Sequence, residues 1–125
     1  MTVVGEQTAA TLTLPPSVEH VRTARLVAVT AARRLGLDEQ TVDDVRLAVG
    51  EAVARAVRRH ASAGVDDDVD VVLRDDSGAF VVEIDDRAPA NTPDDDEVGL
   101  ALVTAVVPDA EVQGGRVVLR WPATA

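Results

Sequence analysis

The segment from Asp44 to His60, DVRLAVGEAVARAVRRH, constrains the fold more than any other part of this chain. Its apolar residues recur every three or four positions, which is typical of a helix that buries one face. The predicted core face carries Val42, Val45, Val49, Ala52, Val53 and Ala56. The opposite face carries Asp44, Leu47, Glu51, Arg55 and Arg58. Such a helix needs a second layer of structure to cover its apolar side.

Length and composition limit the chemistry that the chain can perform. Its 125 residues, 46% of them apolar, are sufficient for one globular domain with a single core. The absence of cysteine excludes disulfides, thiolate metal sites and a cysteine nucleophile. All 12 basic residues are arginine, so a Schiff-base lysine and a P-loop lysine are also excluded.

The charge and hydropathy of the chain predict where it acts. The net charge of −10 argues against nucleic-acid binding, because the phosphate backbone is bound mainly by cationic side chains. No segment reaches the roughly 18 apolar residues of a membrane span, and the N-terminus lacks the basic region of a signal peptide. We therefore expect a cytoplasmic protein without a membrane or nucleic-acid partner, whose acidity is compatible with a basic protein partner.

Three helices are predicted from apolar spacing and from residues that start or end helices. They span about Val18–Leu35, Glu39 or Thr41 to Ala61, and Val98–Val107. Ser17 is placed to cap the first helix. Gly36 follows its end, where a left-handed residue often terminates a helix.

Five strands are predicted at Thr11–Leu14, Val69–Arg74, Phe80–Asp85, Ala110–Val112 and Val117–Trp121. The sequence Asp75-Asp76-Ser77-Gly78 is typical of a hairpin turn between the second and third of them. The order of elements predicts the α+β class. We expect a two-layer sandwich in which a mixed, mostly antiparallel sheet of about five strands is covered on one face by about three helices. Residues 1–10 are expected to form a flexible lead-in and 11–125 a single domain.

The order of elements, with Leu47-Ala48-Val49-Gly50-Glu51-Ala52-Val53 in the second helix, resembles the anti-sigma-factor serine kinases of bacteria. These belong to the histidine-kinase-like ATPase superfamily, which has the Bergerat fold. The resemblance covers about residues 11–121 and depends on three short motifs in the family's order. It implies ATP or ADP with Mg²⁺ as the cofactor.

The first motif of the family is Glu-x-x-x-Asn on a helix, and here it reads Glu51-Ala52-Val53-Ala54-Arg55. The resemblance implies that Glu51 polarises the attacking group in an active kinase, while the asparagine would ligate Mg²⁺. Arg55 has only hydrogen-bond donors and a fixed positive charge, so it cannot ligate a cation. Two other interpretations remain open: an ion pair between Glu51 and Arg55 one turn apart, or a direct contact of Arg55 with a phosphate.

The second motif is Asp-x-Gly-x-Gly after a strand, and here it reads Asp86-Arg87-Ala88-Pro89-Ala90. The resemblance implies that Asp86 accepts a hydrogen bond from the adenine amino group. The alternative is a carboxylate at a strand end that belongs to a turn. Ala88 and Ala90 replace glycines that let the backbone approach the nucleotide, and each added Cβ hinders that approach.

The third motif is Gly-x-Gly-Leu at the start of the last helix, and here it reads Glu97-Val98-Gly99-Leu100. The resemblance implies that backbone N–H groups at Gly99 and Leu100 hold phosphates. Glu97 replaces the first glycine and follows Asp94-Asp95-Asp96, so four acids precede the site and would repel a triphosphate. The alternative is a solvated acidic loop. No spacing in the chain indicates a metal site, His20 and His60 included.

Three functional hypotheses follow. The first is an anti-sigma-factor-like regulator that binds a sigma factor, an anti-sigma antagonist or both, with a weakened or lost ATP site. Its predicted partner surface is the first helix, with Arg22, Arg25, Arg33 and Arg34, and the loop around the former pocket; the resemblance also implies a homodimer. The second is an active serine kinase with Glu51 as its base. The third is an interaction module with this fold outside the sigma pathway. The replacements at Arg55, Ala88, Ala90 and Glu97 favour a pseudo-enzyme.

Overall fold

The computed structural model describes residues 6–93 and 97–123. Its elements, in chain order, are β1 Glu6–Leu14, α1 Val21–Arg34, α2 Glu39–Ala63, β2 Val69–Asp76, β3 Ala79–Asp85, α3 Glu97–Val106, β4 Asp109–Gln113 and β5 Arg116–Trp121. This order confirms the predicted α+β class. The predicted acidic run 94–96 lies outside the described residues.

The five strands form one open sheet in the order β1-β2-β3-β5-β4, and every neighbouring pair is antiparallel. Burial alternates along β2, where Val69, Val71 and Leu73 are buried and the residues between them are half-buried. The helices pack on the side that these three residues face. The predicted sandwich of a mostly antiparallel sheet and three helices is thereby confirmed.

Strand β1 begins at Glu6 and not at Thr11, so residues 6–10 of the predicted lead-in belong to the sheet. Its pairing with β2 runs from Glu6 opposite Asp76 to Leu14 opposite Val69. The ladder is interrupted by a bulge between Thr8 and Ala10. Sequence alternation could not reveal this extension, because it depends on the partner strand that β2 provides.

The start of the first helix also differs from the prediction. A 3₁₀ turn at Val18–His20 precedes α1, and Val18, where the predicted helix begins, is 73% exposed. The side chain of Ser17 makes no capping hydrogen bond. The predicted end is confirmed: Gly36 has a φ of +91°, and the Leu37 N–H donates to the Ala32 carbonyl at 3.1 Å.

Helix α2 is fixed at both ends. At its start, Oδ1 of Asp38 accepts a hydrogen bond from the Thr41 N–H at 2.8 Å, and this bond lowers the pKa of the Asp38 carboxyl. At its end, Gly64 has a φ of +68°. All six residues predicted for its core face are buried. None of the helices in the described residues is long and apolar enough to cross a membrane.

The face of the sheet that the helices leave open is covered by ion pairs between strands. Three of them join strand residues, Arg74 to Glu83, Arg116 to Asp85 and Arg120 to Asp76, and a fourth joins Arg87 in the loop after β3 to Asp70. The hydrogen bond from Arg116 to Asp85 raises the pKa of that guanidinium further above its ordinary value. Long charged side chains of this kind cover part of the apolar surface beneath them.

Candidate nucleotide-binding site

Glu51 lies near the middle of α2 and is half-buried. The preceding residue, Gly50, is buried under the guanidinium of Arg25 from α1. A Cβ at position 50 would lie 2.9 Å from Cζ of Arg25, too close for a real contact. The glycine before Glu51 therefore lets the arginine of α1 lie against the backbone of α2.

Arg55, one turn after Glu51, is only 5% exposed. The sequence placed it on the face opposite the core, and that prediction is wrong. Its Nη2 donates to the carbonyl of Gly114, 59 positions later in the turn between β4 and β5, at 3.1 Å. Arg55 therefore joins α2 to that turn, at the position where the family motif has the amide that ligates Mg²⁺.

Asp86 follows β3 and forms a buried ion pair with Arg59 of α2. The Nε of Arg59 donates to Oδ2 of Asp86 at 2.8 Å, and the two side chains are 3% and 1% exposed. Oδ1 of Asp86 accepts a hydrogen bond from the Ala88 N–H at 3.0 Å. Both oxygens of the carboxylate thus have partners within the chain.

Arg59 also holds the loop that follows Asp86. Its Nη2 donates to the Pro89 carbonyl at 3.1 Å and its Nη1 to the Thr92 carbonyl at 3.2 Å. With the bond to Asp86, three N–H groups of one guanidinium point in three directions, which suits its rigid, planar set of five donors. This one side chain therefore holds the chain from 86 to 92 against α2 at three points.

His60, the next residue of α2, holds the same loop from a second position. It is 1% exposed, and its Nε2 accepts a hydrogen bond from the Arg87 N–H at 2.8 Å. An acceptor at Nε2 requires the neutral tautomer with its proton on Nδ1. No described residue accepts a hydrogen bond from this buried Nδ1.

The turn between β4 and β5 closes the other side of the Asp86 carboxylate. The Asp86 N–H donates to the Gly115 carbonyl at 2.8 Å. A Cβ at position 115 would lie 2.6 Å from Oδ1 of Asp86, so the turn approaches this closely only because residue 115 is glycine. The neighbouring Gly114 has a φ of +59°, and a Cβ there would lie 3.4 Å from Cβ of Ala90.

The third motif begins α3, which packs on α2. Gly99 is buried, Leu100 is half-buried, and Glu97 is exposed at the first position of the helix. The first position of α3 therefore carries an exposed carboxylate side chain, where the family motif has a glycine.

Comparisons with known proteins identify the fold. Residues 14–121 match the family described as "Histidine kinase-like ATPase domain". The chain belongs to the histidine kinase-like ATPase family. A similar solved structure is that of the RsbU and RsbW domains of Rv1364c from Mycobacterium tuberculosis, with a TM-score of 0.67 and 24% identity. The match covers 91% of this chain and 33% of that longer chain. No curated protein matches the sequence.

The sequence predicted which helices and strands carry the three motifs of this histidine kinase-like ATPase. It did not predict which residues the motif side chains contact. The structure brings Arg55, Asp86 and Ala90 together around the β4–β5 turn, while Gly99 and Leu100 lie on α3. Ala88 is buried and Ala90 is exposed. The residues that the sequence analysis missed are Arg59, His60, Thr92, Gly114 and Gly115. One signal was available, since Arg59 follows Arg55 by four residues and so lies on the same side of α2.

These residues do not fit Mg²⁺ with ATP or ADP in the way the family motif requires. Asp86 already uses both oxygens, Arg55 offers no oxygen to a cation, and Arg59 holds the loop across the carboxylate. In the described residues, no group of three or more His, Asp or Glu is arranged to hold a metal ion. The side chains of α2 thus make internal bonds where the motif would bind a nucleotide.

Proposed function

We propose that this chain is an anti-sigma-factor-like regulatory protein of a bacterial partner-switching pathway. It acts in the cytoplasm, as a homodimer, by binding a sigma factor, an anti-sigma antagonist or both, and its ATP site is lost. The main support for the proposal is the buried ion pair of Arg59 and Asp86. In the family motif, the carboxylate of this aspartate accepts a hydrogen bond from adenine, whereas here it binds Arg59. The structural similarity to the RsbU and RsbW domains of Rv1364c, together with the three motifs that resemble those of the anti-sigma-factor kinases, supports the choice of pathway.

The charge of α1 supports a protein partner. Four of its residues are exposed arginines, Arg22, Arg25, Arg33 and Arg34, and its sequence contains no Asp or Glu. The whole chain has a net charge of −10, so this helix is a local reversal of sign. A surface of this kind favours a partner with an acidic face and speeds its association.

The partner surface is tested by charge reversal on α1. Tagged wild-type protein is expressed in its native host, and the retained proteins are identified by mass spectrometry. We expect a sigma factor or an antagonist-type protein. The double variant Arg22→Glu/Arg25→Glu should bind it roughly thirtyfold more weakly, since each of the two lost charge contacts at such a surface contributes on the order of 1 kcal/mol. Arg46→Glu, an exposed arginine on α2, is the control.

Three other outcomes would contradict the proposal. Recovery of neither class of protein, or only of proteins without a role in sigma regulation, would favour the interaction module outside this pathway. If the α1 variant and Arg46→Glu lost partner binding equally, α1 would not be the partner-binding surface. Transfer of the γ-phosphate to an antagonist, abolished by Glu51→Ala, would establish the kinase hypothesis instead.

A further inference from the structure

A cavity of about 500 Å³ lies between α1 and the sheet, formed by residues of β1, β2 and β3. Its apolar lining includes Ala10, Leu26, Val27, Ala31, Leu35 and Phe80. None of its lining residues belongs to α2 or α3, which carry the three motifs, so the cavity is separate from the pair of Arg59 and Asp86. It accordingly needs its own explanation.

Small residues and an irregular strand keep this space open. Ala9 lies in the bulge of β1 and has no partner residue in β2, while Thr8 and Ala10 on either side are paired. Ala10 and Ala31 provide only methyl groups on the two opposing walls. Phe80 is 1% exposed and belongs to the core, whereas Leu26 is 59% exposed. The cavity thus extends from the core to a large exposed apolar side chain.

The charged groups at the cavity differ in their partners. Arg74 is paired with Glu83 at 2.7 Å, and Oδ1 of Asp75 accepts the Gly78 N–H at 2.8 Å. Arg34 is exposed, and none of the carboxylates whose side chains the structure describes forms an ion pair with it. The chain has 22 acidic residues and only 12 arginines, so an arginine without such an ion pair is unusual. Arg34 lies beside the apolar cavity and is available to an external anion.

We propose that this cavity binds a small monocarboxylate with an apolar chain, whose carboxylate pairs with Arg34 and whose hydrocarbon part lies against Leu26, Ala31 and Phe80. The volume lies within the range of about 300–1,000 Å³ that is usual for small-molecule sites. Seven of the twelve lining residues are apolar and five are polar or charged, and such sites are usually lined by apolar side chains with a few polar groups that fix orientation. A planar guanidinium also fits the geometry of a carboxylate.

The test uses decanoate and decanol, which share one alkyl chain and differ in charge. Binding is followed by amide shifts in ¹H–¹⁵N spectra of the full chain. We expect decanoate to shift the signals of α1 and of the first half of β1. Arg34→Gln should weaken decanoate binding roughly tenfold or more and change decanol binding less than about twofold. Arg33→Gln is the matched control, because the Arg33 side chain pairs with Glu39. This variant should bind decanoate and decanol as the wild type does.

Ala31→Leu fills the cavity and should weaken both probes by a similar factor. Its fold is checked from the unperturbed signals of α2 and β3. The proposal is overturned if millimolar decanoate shifts no signal, if Arg33→Gln weakens binding as much as Arg34→Gln, or if the shifts lie elsewhere. It is also overturned if sedimentation shows a concentration-dependent dimer that Ala31→Leu abolishes, because a second copy would then cover the cavity. None of these results depends on a sigma factor.

Discussion

Arg59 of α2 and Asp86 after β3 form an ion pair of 2.8 Å, with 3% and 1% of their side chains exposed. Arg59 donates from the same guanidinium to the carbonyls of Pro89 and Thr92. In the family motif this carboxylate binds adenine. Here it is bound by Arg59 of the same chain. This contact fixes the loop after β3 against the helix that carries Glu51.

Removal of Arg59 should destabilise the protein strongly. Arg59→Ala leaves the carboxylate of Asp86 buried without its cation, and the loss of one partner from a buried pair typically costs about 3–5 kcal/mol. Urea unfolding followed by circular dichroism measures the change. Arg46→Ala is the control, because Arg46 pairs with Asp43 on the exposed side of the same helix. The control should lose less than about 1 kcal/mol. Equal losses in the two variants would show that the buried pair contributes little.

Gly115→Ala should destabilise the turn between β4 and β5. The added Cβ would lie 2.6 Å from Oδ1 and 3.1 Å from the carbonyl oxygen of Asp86. Because backbone as well as side chain must move, we expect a loss of about 1–3 kcal/mol in the free energy of unfolding. Gly36→Ala is the comparison for backbone strain alone. A Cβ at position 36 would meet no atom within 4 Å, but the residue has a φ of +91°. A Gly115→Ala protein as stable as the wild type would contradict this close approach.

The cap of α2 should make part of the stability depend on pH. The hydrogen bond from the Thr41 N–H lowers the pKa of Asp38 in the folded state below its unfolded value of about 3.9. Its stabilisation is therefore complete above the unfolded pKa and is lost as the pH falls through the folded pKa. Asparagine caps a helix without a charge, so Asp38→Asn is the comparison. The wild type should have a higher free energy of unfolding than this variant, and the difference should decrease only at acidic pH. Urea unfolding at a series of pH values measures it. An advantage that grows as the pH falls would contradict the assignment.

Sequence reasoning succeeded where the signal was local. The helix around Val45 and Val49, the end of α1 at Gly36 and the hairpin at Ser77 and Gly78 each depend on spacing or turn chemistry within a few residues. Ser77 and Gly78 have φ values of +53° and +91°, as such a turn requires. These local preferences agree with the fold, so the class and the order of elements could be predicted.

The side-chain partners of the site could not be predicted, because they are distant in sequence. Arg59 meets Asp86 27 positions away, and Arg55 meets Gly114 59 positions away. From the sequence, Arg58 and Arg59 after an apolar stretch are typical of a solvated helix face, since arginine is seldom buried unless it is paired. Only the fold brings a carboxylate and two carbonyls within reach of Arg59.

Titration calorimetry of the purified protein with ATP and with ADP, with and without Mg²⁺, tests the central claim most directly. The account predicts no heat of binding up to millimolar nucleotide, because Asp86 is engaged by Arg59 and Arg55 replaces the Mg²⁺ ligand. Micromolar binding of either nucleotide would contradict it. That result would show that the pair opens to admit a nucleotide and that the site is still functional.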